Sequence, residues 1–310
     1  MKRGIYLVAN QKSEMLCENL VYSIRSTGCT LPIRLIHFGG AKIKSKAILD
    51  EVEFLEIEGF SHEALEFLSE LQKILTWCPC GFLNRFLAFF SDWDEFIYSD
   101  NDVVALRNWE ELFEFPAFYN IVHADREYLT NGKYNFYNPG KVNNLFGQEA
   151  LDAAFTAGHF LVRKNEAMIK DMRTAIEWFG ANTGIAKQHD QAFLHISALI
   201  GKWNILNLCK PPNNWLTSWA GDYKNSLSLI QATQSSVGGK ISHLHYSGET
   251  PEGLRAIEDL LLSNKGNKHR LKSSTIIGLK YHSGFFYMKM LQRKLKKKLR
   301  TYQFSKIKFV

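Results

Sequence analysis

Short aliphatic and β-branched runs alternate with helical patterns along the first part of the chain. Three such runs cover residues 4–9, 33–38 and 52–57, and amphipathic or polar helical patterns separate them. Strands that alternate with helices favour a mostly parallel sheet with helices on both faces. We therefore predict an α/β fold with a mixed, mostly parallel central sheet flanked by helices.

The run Phe96–Val104 carries two aspartates, Asp100 and Asp102, with Asn101 between them. If this run is a strand, its side chains alternate between two faces, so that both carboxylates lie on the same side. Carboxylates at the carboxyl end of a strand in an open α/β sheet lie where such sheets bind ligands. Hard oxygen ligands suit Mg²⁺ or Mn²⁺. The alternative is an ordinary turn, because Asp and Asn are also common turn residues.

Later segments carry further polar residues beside strand-like or helical runs. Residues 155–162 read as a strand that begins near a glycine, residues 190–200 as a helix, and residues 241–246 as a last short strand. Residues 126–144 read as a long polar loop with several aromatic side chains. Such a loop either shapes an acceptor pocket or is a disordered surface insertion.

Taken in order, these segments resemble the nucleotide-sugar glycosyltransferases of family 8 and their relatives. The resemblance covers roughly residues 4 to 255 and implies the single-domain GT-A fold and a hexosyltransferase activity with retention of anomeric configuration. It rests on six segments: Ala9-Asn10, Asn84-Arg85-Phe86, Asp100-Asn101-Asp102, Phe155-Thr156-Ala157-Gly158, His189-Asp190-Gln191 and His245-Tyr246-Ser247-Gly248.

The resemblance also implies roles for individual residues. Asp100, Asp102 and His245 match the ligands of a divalent metal, Mn²⁺ or Mg²⁺, and Asp190 and Gln191 match residues at the reaction centre. The implied donor is a nucleotide sugar, and a UDP-sugar is expected. The residues implied to bind this donor are Ala9, Asn10, Arg85, Asp100, Asn101, Asp102, Ala157, Gly158 and Gly248.

Two departures from the family pattern bear on donor identity. The family usually continues its last segment with Lys-Pro-Trp, whereas this chain has Glu249-Thr250-Pro251, without the lysine that would neutralise the leaving diphosphate. Thr156 stands where an asparagine is usual. Membership of a neighbouring family of the same fold therefore remains open.

The basic character of the chain is confined to its last fifty residues. The net charge is +7, yet fourteen Lys and Arg and no acidic residue follow Asp259, whereas residues 1–259 hold 24 basic and 31 acidic side chains. From Phe285 the pattern predicts a basic amphipathic helix, suited to an anionic membrane surface. The alternative is a charged helix docked on its own domain. We divide the chain into a glycosyltransferase domain, 1–259, and a basic tail, 260–310.

Composition bears on compartment and on competing classes of protein. Five scattered cysteines make a poor disulfide framework, and no run is long and apolar enough for a spanning helix. We therefore expect a cytoplasmic enzyme attached peripherally to the inner face of the membrane. Its expected acceptor is a glycan or a lipid-linked acceptor in surface-glycan assembly, such as that of lipopolysaccharide.

Two other readings compete. A phosphatase with an aspartyl nucleophile also has D-x-D after a strand, but usually after its first strand. A nucleic-acid binder could use the basic tail, yet the acidic body has no recognisable binding module, so we expect no nucleic-acid partner.

Overall fold

A computed structural model describes residues 1–223, 229, 232 and 239–247, all of which belong to one compact unit. The predicted basic tail, 260–310, and the predicted site residue Gly248 lie outside the described residues. The division of the chain at residue 259 stays a prediction.

The described residues form a seven-stranded sheet and a separate two-stranded sheet. The order of the large sheet is β3-β2-β1-β4-β7-β6-β8, and β7 alone runs against its neighbours. The predicted mixed, mostly parallel sheet is confirmed. The strands are β1 Arg3–Ala9, β2 Ile33–His37, β3 Glu53–Glu56, β4 Glu95–Ser99, β5 Val103–Ala105, β6 Ile121–His123, β7 His159–Arg163, β8 Ile205–Asn207 and β9 His243–His245.

Helices connect and flank these strands. In the described part of the chain, no helix is long and apolar enough to cross a membrane. The α-helices are α1 Glu14–Ser26, α2 Lys46–Leu49, α3 His62–Ile74, α4 Cys80–Leu83, α5 Pro139–Phe146, α6 Glu149–Asp152, α7 Met168–Ala181 and α8 Asp190–Ile200. The 3-10 helices are Gln11–Ser13, Ile57–Gly59, Asn84–Phe90, Trp109–Glu114, Glu127–Thr130 and Ala220–Asp222.

Two apolar cores lie on opposite faces of the sheet. Along β1, Tyr6 belongs to the core that contains Phe67 of α3 and Phe193 of α8, whereas Ile5 and Leu7 belong to the other. This alternation follows from the pleat of the strand, which sends successive side chains to opposite faces. The sheet is thus buried on both faces, which leaves the ends of its strands as the places where a ligand can bind.

The sequence predicted a strand that carries Asp100 and Asp102. This prediction is wrong, because the D-x-D segment lies between two strands. β4 ends at Ser99, residues 100–102 form a turn, and β5 begins at Val103 to pair with β9 in the small sheet. The two carboxylates therefore converge because the chain turns between two sheets, and strand alternation plays no part.

The prediction that residues 126–144 form a loop is also wrong in part. This segment contains the 3-10 helix Glu127–Thr130 and the start of α5. The Asn138 side chain accepts a hydrogen bond from the Lys141 amide, and Pro139 occupies the first turn of α5. Both are signals of a helix start that the sequence contains.

Candidate active site

The D-x-D turn follows the carboxyl end of β4 and is held there by residues beside β7 and β9. The Asp100 amide donates a hydrogen bond of 2.7 Å to the carbonyl of Gly158, just before β7, and the Asp102 carbonyl accepts one of 2.9 Å from the Tyr246 amide, just after β9. The register of the small sheet places His245 opposite Val103. The predicted ligands Asp100, Asp102 and His245 are thereby brought together.

The geometry of these three side chains fits a divalent cation. Nε2 of His245 lies 3.3 Å from Asp102 Oδ1 and 3.9 Å from Asp100 Oδ2, and one ligand atom from each residue lies within 4.8 Å of the others. The same Nε2 is buried and makes no hydrogen bond in the structure. A cation bound by these three atoms would give that nitrogen a partner, and two carboxylates with one imidazole are a donor set that Mn²⁺ accepts.

Charge is concentrated at this position. Burial by itself lowers the pKa of His245, but the carboxylates of Asp102 and Asp100 outweigh it and hold that pKa above its usual value. Burial, together with the charge of Asp102, raises the pKa of Asp100 despite the nearby guanidinium of Arg85. Crowded carboxylates whose ionisation is costly are stabilised when a cation binds between them.

Gly158 makes room for His245, the predicted metal ligand. The His245 ring packs directly on the Gly158 α-carbon, and a Cβ at this position would overlap the ring. The glycine is therefore required by the close approach of the ring, and it orients the predicted ligand.

Arg85 links the D-x-D turn to the predicted reaction centre. The side chain is 2% exposed, and Nη2 lies 3.1 Å from Asp100 Oδ1 and 2.9 Å from Asp190 Oδ2. Nη1 donates to the carbonyl of Ala157, and Nε donates to the carbonyl of Phe82 at 2.9 Å. Because its nitrogens all contact protein atoms, Arg85 positions two carboxylates in this structure, and its contact with the donor stays a prediction.

Tyr98 also contacts Asp100, a role that was not predicted from the sequence. Its hydroxyl donates a hydrogen bond of 2.7 Å to Asp100 Oδ1, and the guanidinium carbon of Arg85 lies 4.7 Å from the centre of its ring. Tyr98 precedes Asp100 by two residues on a buried strand, a spacing that could have suggested this contact.

Asp190 and Gln191 begin α8 and contact different partners. The helix is capped by His189, whose side chain accepts a hydrogen bond from the Ala192 amide. Asp190 is thus the first residue of the helix and not its N-cap, and its carboxylate faces Arg85. Gln191 donates a hydrogen bond of 2.8 Å from Nε2 to Oδ1 of Asn135, a buried residue that no sequence pattern indicated.

The predicted donor-binding residues near β1 mainly hold the backbone in place. Asn10 accepts hydrogen bonds from the amides of Lys12 and Ser13 and so caps a 3-10 helix. Asn101 donates a hydrogen bond of 2.7 Å from Nδ2 to the Val8 carbonyl, which joins the D-x-D turn to β1. The Ala9 side chain is fully buried.

A buried acidic pair after β6 was also missed. Asp125 Oδ2 lies 2.9 Å from His123 Nδ1 and accepts hydrogen bonds of 3.0 and 3.1 Å from the amide and hydroxyl of Thr156. Burial raises the pKa of Asp125, but His123 and these hydrogen bonds bring it below its usual value. Burial and the charge of Asp125 raise the pKa of Glu127 to about 8. The sequence did contain a signal for this pair, because these polar residues directly follow a predicted strand.

Comparison with known proteins identifies the family. Residues 2–170, more than half of the chain, match the family described as "Mannosyltransferase putative". The chain belongs to this family. It is therefore a glycosyltransferase, and the matched region contains β1, the D-x-D turn and Gly158. No curated protein has a sequence that matches the chain.

Several solved glycosyltransferase structures resemble the chain, and the likeness to one of them, WbbM, supports the fold. The WbbM bifunctional glycosyltransferase has a TM-score of 0.50 at 13% identity, over 81% of this chain and 46% of its own. Mouse xyloside xylosyltransferase 1 has a TM-score of 0.47 at 13% identity, over 81% and 99%. Galactosyltransferase LgtC, solved with donor and acceptor sugar analogs, has a TM-score of 0.44 at 14% identity, over 87% and 99%. The chain spans less than half the length of WbbM.

These findings confirm a glycosyltransferase of the GT-A fold. Membership of family 8 in particular stays a prediction. The phosphatase reading loses its support, because the D-x-D turn follows the fourth strand of the chain and the family is one of glycosyltransferases.

Proposed function

We propose that this glycosyltransferase moves a hexosyl unit, specifically mannose, from a nucleotide-diphosphate donor to a glycan or lipid-linked acceptor. The observation that carries the proposal is the meeting of Asp100, Asp102 and His245 at a sheet edge, with Asp190 joined to them through Arg85. Mannose is proposed because the family description names mannosyl transfer. The UDP-sugar expected from the sequence remains one of the donors to be tested.

The side chains named above would hold Mn²⁺ or Mg²⁺ against the donor diphosphate. When bound, such a cation stabilises the negative charge that develops on the leaving phosphate. Asp100 and Asp102 provide oxygen ligands, and the buried Nε2 of His245 completes the protein's share of the coordination. Tyr98 and Arg85 keep Asp100 oriented through two contacts to its Oδ1 atom.

Asp190 and Gln191 would lie beside the anomeric carbon, with retention of configuration. Asp190 is held by Arg85 and Gln191 by Asn135, so both are preorganised by buried partners. Proton NMR of the first product formed tests this stereochemistry. We expect the anomeric configuration of the donor, and an inverted product would contradict the assignment.

The acceptor would be presented at a membrane surface, in the assembly of surface glycans such as lipopolysaccharide. Only the sequence supports this part of the proposal, through the fourteen basic residues after Asp259. The same proposal places the enzyme in the cytoplasm, attached to the inner face of the membrane. It involves no nucleic acid.

The test of the proposed function is a donor screen. The full chain is incubated with a panel of UDP- and GDP-hexoses, with Mn²⁺, with Mg²⁺ and with excess chelator. We expect thermal stabilisation and turnover of one donor only when a divalent cation is present. Asp102→Asn should lose both the metal and the turnover, whereas Asp50→Asn, at an exposed carboxylate directly after α2, should retain them.

Full turnover in chelator would contradict the metal site. Turnover of a nucleotide sugar that carries no hexose would contradict the proposed sugar class. Equal metal affinity in the wild type and Asp102→Asn, measured by titration calorimetry, would place the metal elsewhere.

A further inference from the structure

A small uncharged cavity lies beside the candidate reaction centre. It has a volume of about 170 Å³, and none of the side chains that line it is charged. Aromatic and neutral polar side chains form its walls, among them Trp77, Tyr137, Phe179, Asn182, Thr183 and Gln188. The sequence had drawn attention to Tyr137 as part of an aromatic segment, but the proposed transfer reaction uses neither Tyr137 nor Trp77.

Two of these aromatic side chains are unusually exposed for their size. Trp77 is 80% exposed and Tyr137 is 55% exposed, whereas Phe179, which also lines the cavity, is buried. Leaving large aromatic side chains in water gives up the stabilisation that their burial would provide. Exposed aromatic side chains on the wall of a cavity therefore suggest a surface that a ligand covers.

The cavity is held in place by the segment that leads into α8. The Tyr137 amide donates a hydrogen bond of 2.9 Å to the Ile185 carbonyl, and Phe136 pairs with Ala186 in an isolated antiparallel β-bridge. On the other side, the Thr76 hydroxyl donates a hydrogen bond of 3.1 Å to Oε1 of Gln188.

The same segment connects the cavity to the reaction centre. Gln188, which lines the cavity, precedes Asp190 by two residues. Cys78, next to Trp77, has its sulfur 3.8 Å from Asp190 Oδ1. A ligand in the cavity would therefore lie beside the place where the new glycosidic bond forms.

The lining excludes several classes of ligand. A diphosphate or an anionic lipid headgroup would need cations that the cavity lacks. Gln188 Oε1 accepts from Thr76 and Asn182 Nδ2 donates to the Trp178 carbonyl, but a wholly apolar ligand would cover the remaining polar groups of Gln188, Asn182 and Thr183 without hydrogen bonding to them. A neutral sugar has a ring face of C–H groups that packs on an aromatic plane and hydroxyl groups that hydrogen bond to amides. At this volume, well below the roughly 300 Å³ of a pocket that encloses a drug-sized ligand, one ring fits.

We propose that this cavity is an acceptor subsite that binds a second, neutral pyranose ring of the glycan acceptor. The inference rests on the proposed function and deepens it, because it makes the acceptor at least a disaccharide. Trp77 and Tyr137 are binding residues in this proposal, and bond breaking remains with the reaction centre.

Direct binding, measured without donor or turnover, tests the subsite. Trp77 is the one exposed tryptophan among the seven of the chain, all of which the structure describes, so its fluorescence reports on this surface. The full chain is titrated with mannotriose, maltotriose and lactose. We expect a saturable change in emission with at least one of the three, and no such change with Trp77→Phe, which removes the indole but keeps an aromatic ring.

Calorimetry with the same sugars measures affinity without relying on the fluorescence of Trp77, so it shows whether the aromatic ring itself contributes to binding. Trp77→Phe should retain most of the affinity, whereas Trp77→Ala and Tyr137→Ala should each lose about tenfold or more, as expected when an aromatic anchor is truncated. Phe118→Ala is the matched control, because Phe118 is an exposed aromatic residue, at 61%, that precedes β6 and does not line the cavity.

Three results would overturn the proposal: no saturable binding of any of the three sugars, equal affinity in Tyr137→Ala and the wild type, or an equal loss in Phe118→Ala. None of them depends on sugar transfer. If binding occurs but no nucleotide sugar is turned over, the proposed function fails and the subsite stands. If transfer occurs without this binding, the subsite fails alone.

Discussion

The guanidinium of Arg85 lies 2.9 Å from the carboxylate of Asp190. This contact joins the 3-10 helix Asn84–Phe90, which precedes β4, to the first residue of α8, and the same nitrogen contacts Asp100. The buried guanidinium thus holds the D-x-D turn and the proposed reaction centre in one arrangement. Burial alone would lower the pKa of Arg85, but the two carboxylates hold it above its usual value, so that the side chain stays charged.

Replacing Arg85 should therefore destabilise the fold as well as the site. Arg85→Gln leaves two carboxylates without their cation, and we expect a loss of about 3 kcal/mol in the free energy of unfolding. Arg173→Gln is the control, since Arg173 forms ion pairs with Glu63, Glu66 and Glu70 at the surface and should cost less than about 1 kcal/mol. Urea denaturation of the two variants measures the difference. Equal losses would contradict the role given to Arg85.

Adding one methyl group at Gly158 should impair the metal site without unfolding the protein. The new Cβ of Gly158→Ala would displace the His245 ring. We expect Mn²⁺ affinity to fall about tenfold or more, as when a residue that supports a metal ligand is changed. Titration calorimetry measures the affinity.

Gly180→Ala provides the control for that experiment. Its Cβ would meet no described atom nearer than Ile74 Cδ1 at 4.0 Å, and the glycine lies inside α7. This change should leave metal affinity unchanged and stabilise the helix by about 0.5–1 kcal/mol. An unchanged Mn²⁺ affinity in Gly158→Ala would show that His245 is not a ligand.

The buried Glu127 predicts a pH dependence of stability. Its pKa rises from 4.5 to about 8 on folding because of burial and the charge of Asp125. The folded protein therefore holds a proton between these pH values that the unfolded chain has released, so stability should fall as pH rises from about 5 to 8. The expected slope for one proton is about 1.4 kcal/mol per pH unit.

Glu127→Gln cannot ionise and should flatten this part of the pH profile. Glu58→Gln, at an exposed carboxylate, is the matched control. Denaturation at several pH values between 5 and 8 measures both. If the profile of Glu127→Gln parallels that of the wild type, Glu127 does not carry the proton.

The basic tail predicts binding to membranes that is sensitive to salt. A chain truncated after Gly284 should retain the metal site and turnover with soluble acceptors but lose most binding to vesicles that contain anionic lipid. Binding of the full chain should weaken as salt rises, because electrostatic attraction extends only about 8 Å at physiological ionic strength. Equal vesicle binding by the two chains, measured by co-sedimentation, would contradict the proposed location.

The sequence by itself determined the architecture and most of the candidate site. Aliphatic runs separated by helical patterns predicted the strands of the sheet, because burial on both faces demands apolar residues throughout a central strand. Asp100, Asp102 and Asp190 were identified from motifs whose residues are close together along the chain. The start of α5 was also encoded locally, by Asn138 and Pro139, although a loop was predicted for this segment.

The tertiary structure alone decided how these pieces meet. The pairing of β5 with β9 brings His245 to the D-x-D turn, Gly158 is needed because a ring packs on it, and Arg85 lies between two carboxylates from distant segments. Local periodicity fixes which face a side chain occupies, but it does not specify which distant segment lies opposite. Those contacts depend on strand register and on the burial of charge, which are set only when the whole domain has packed.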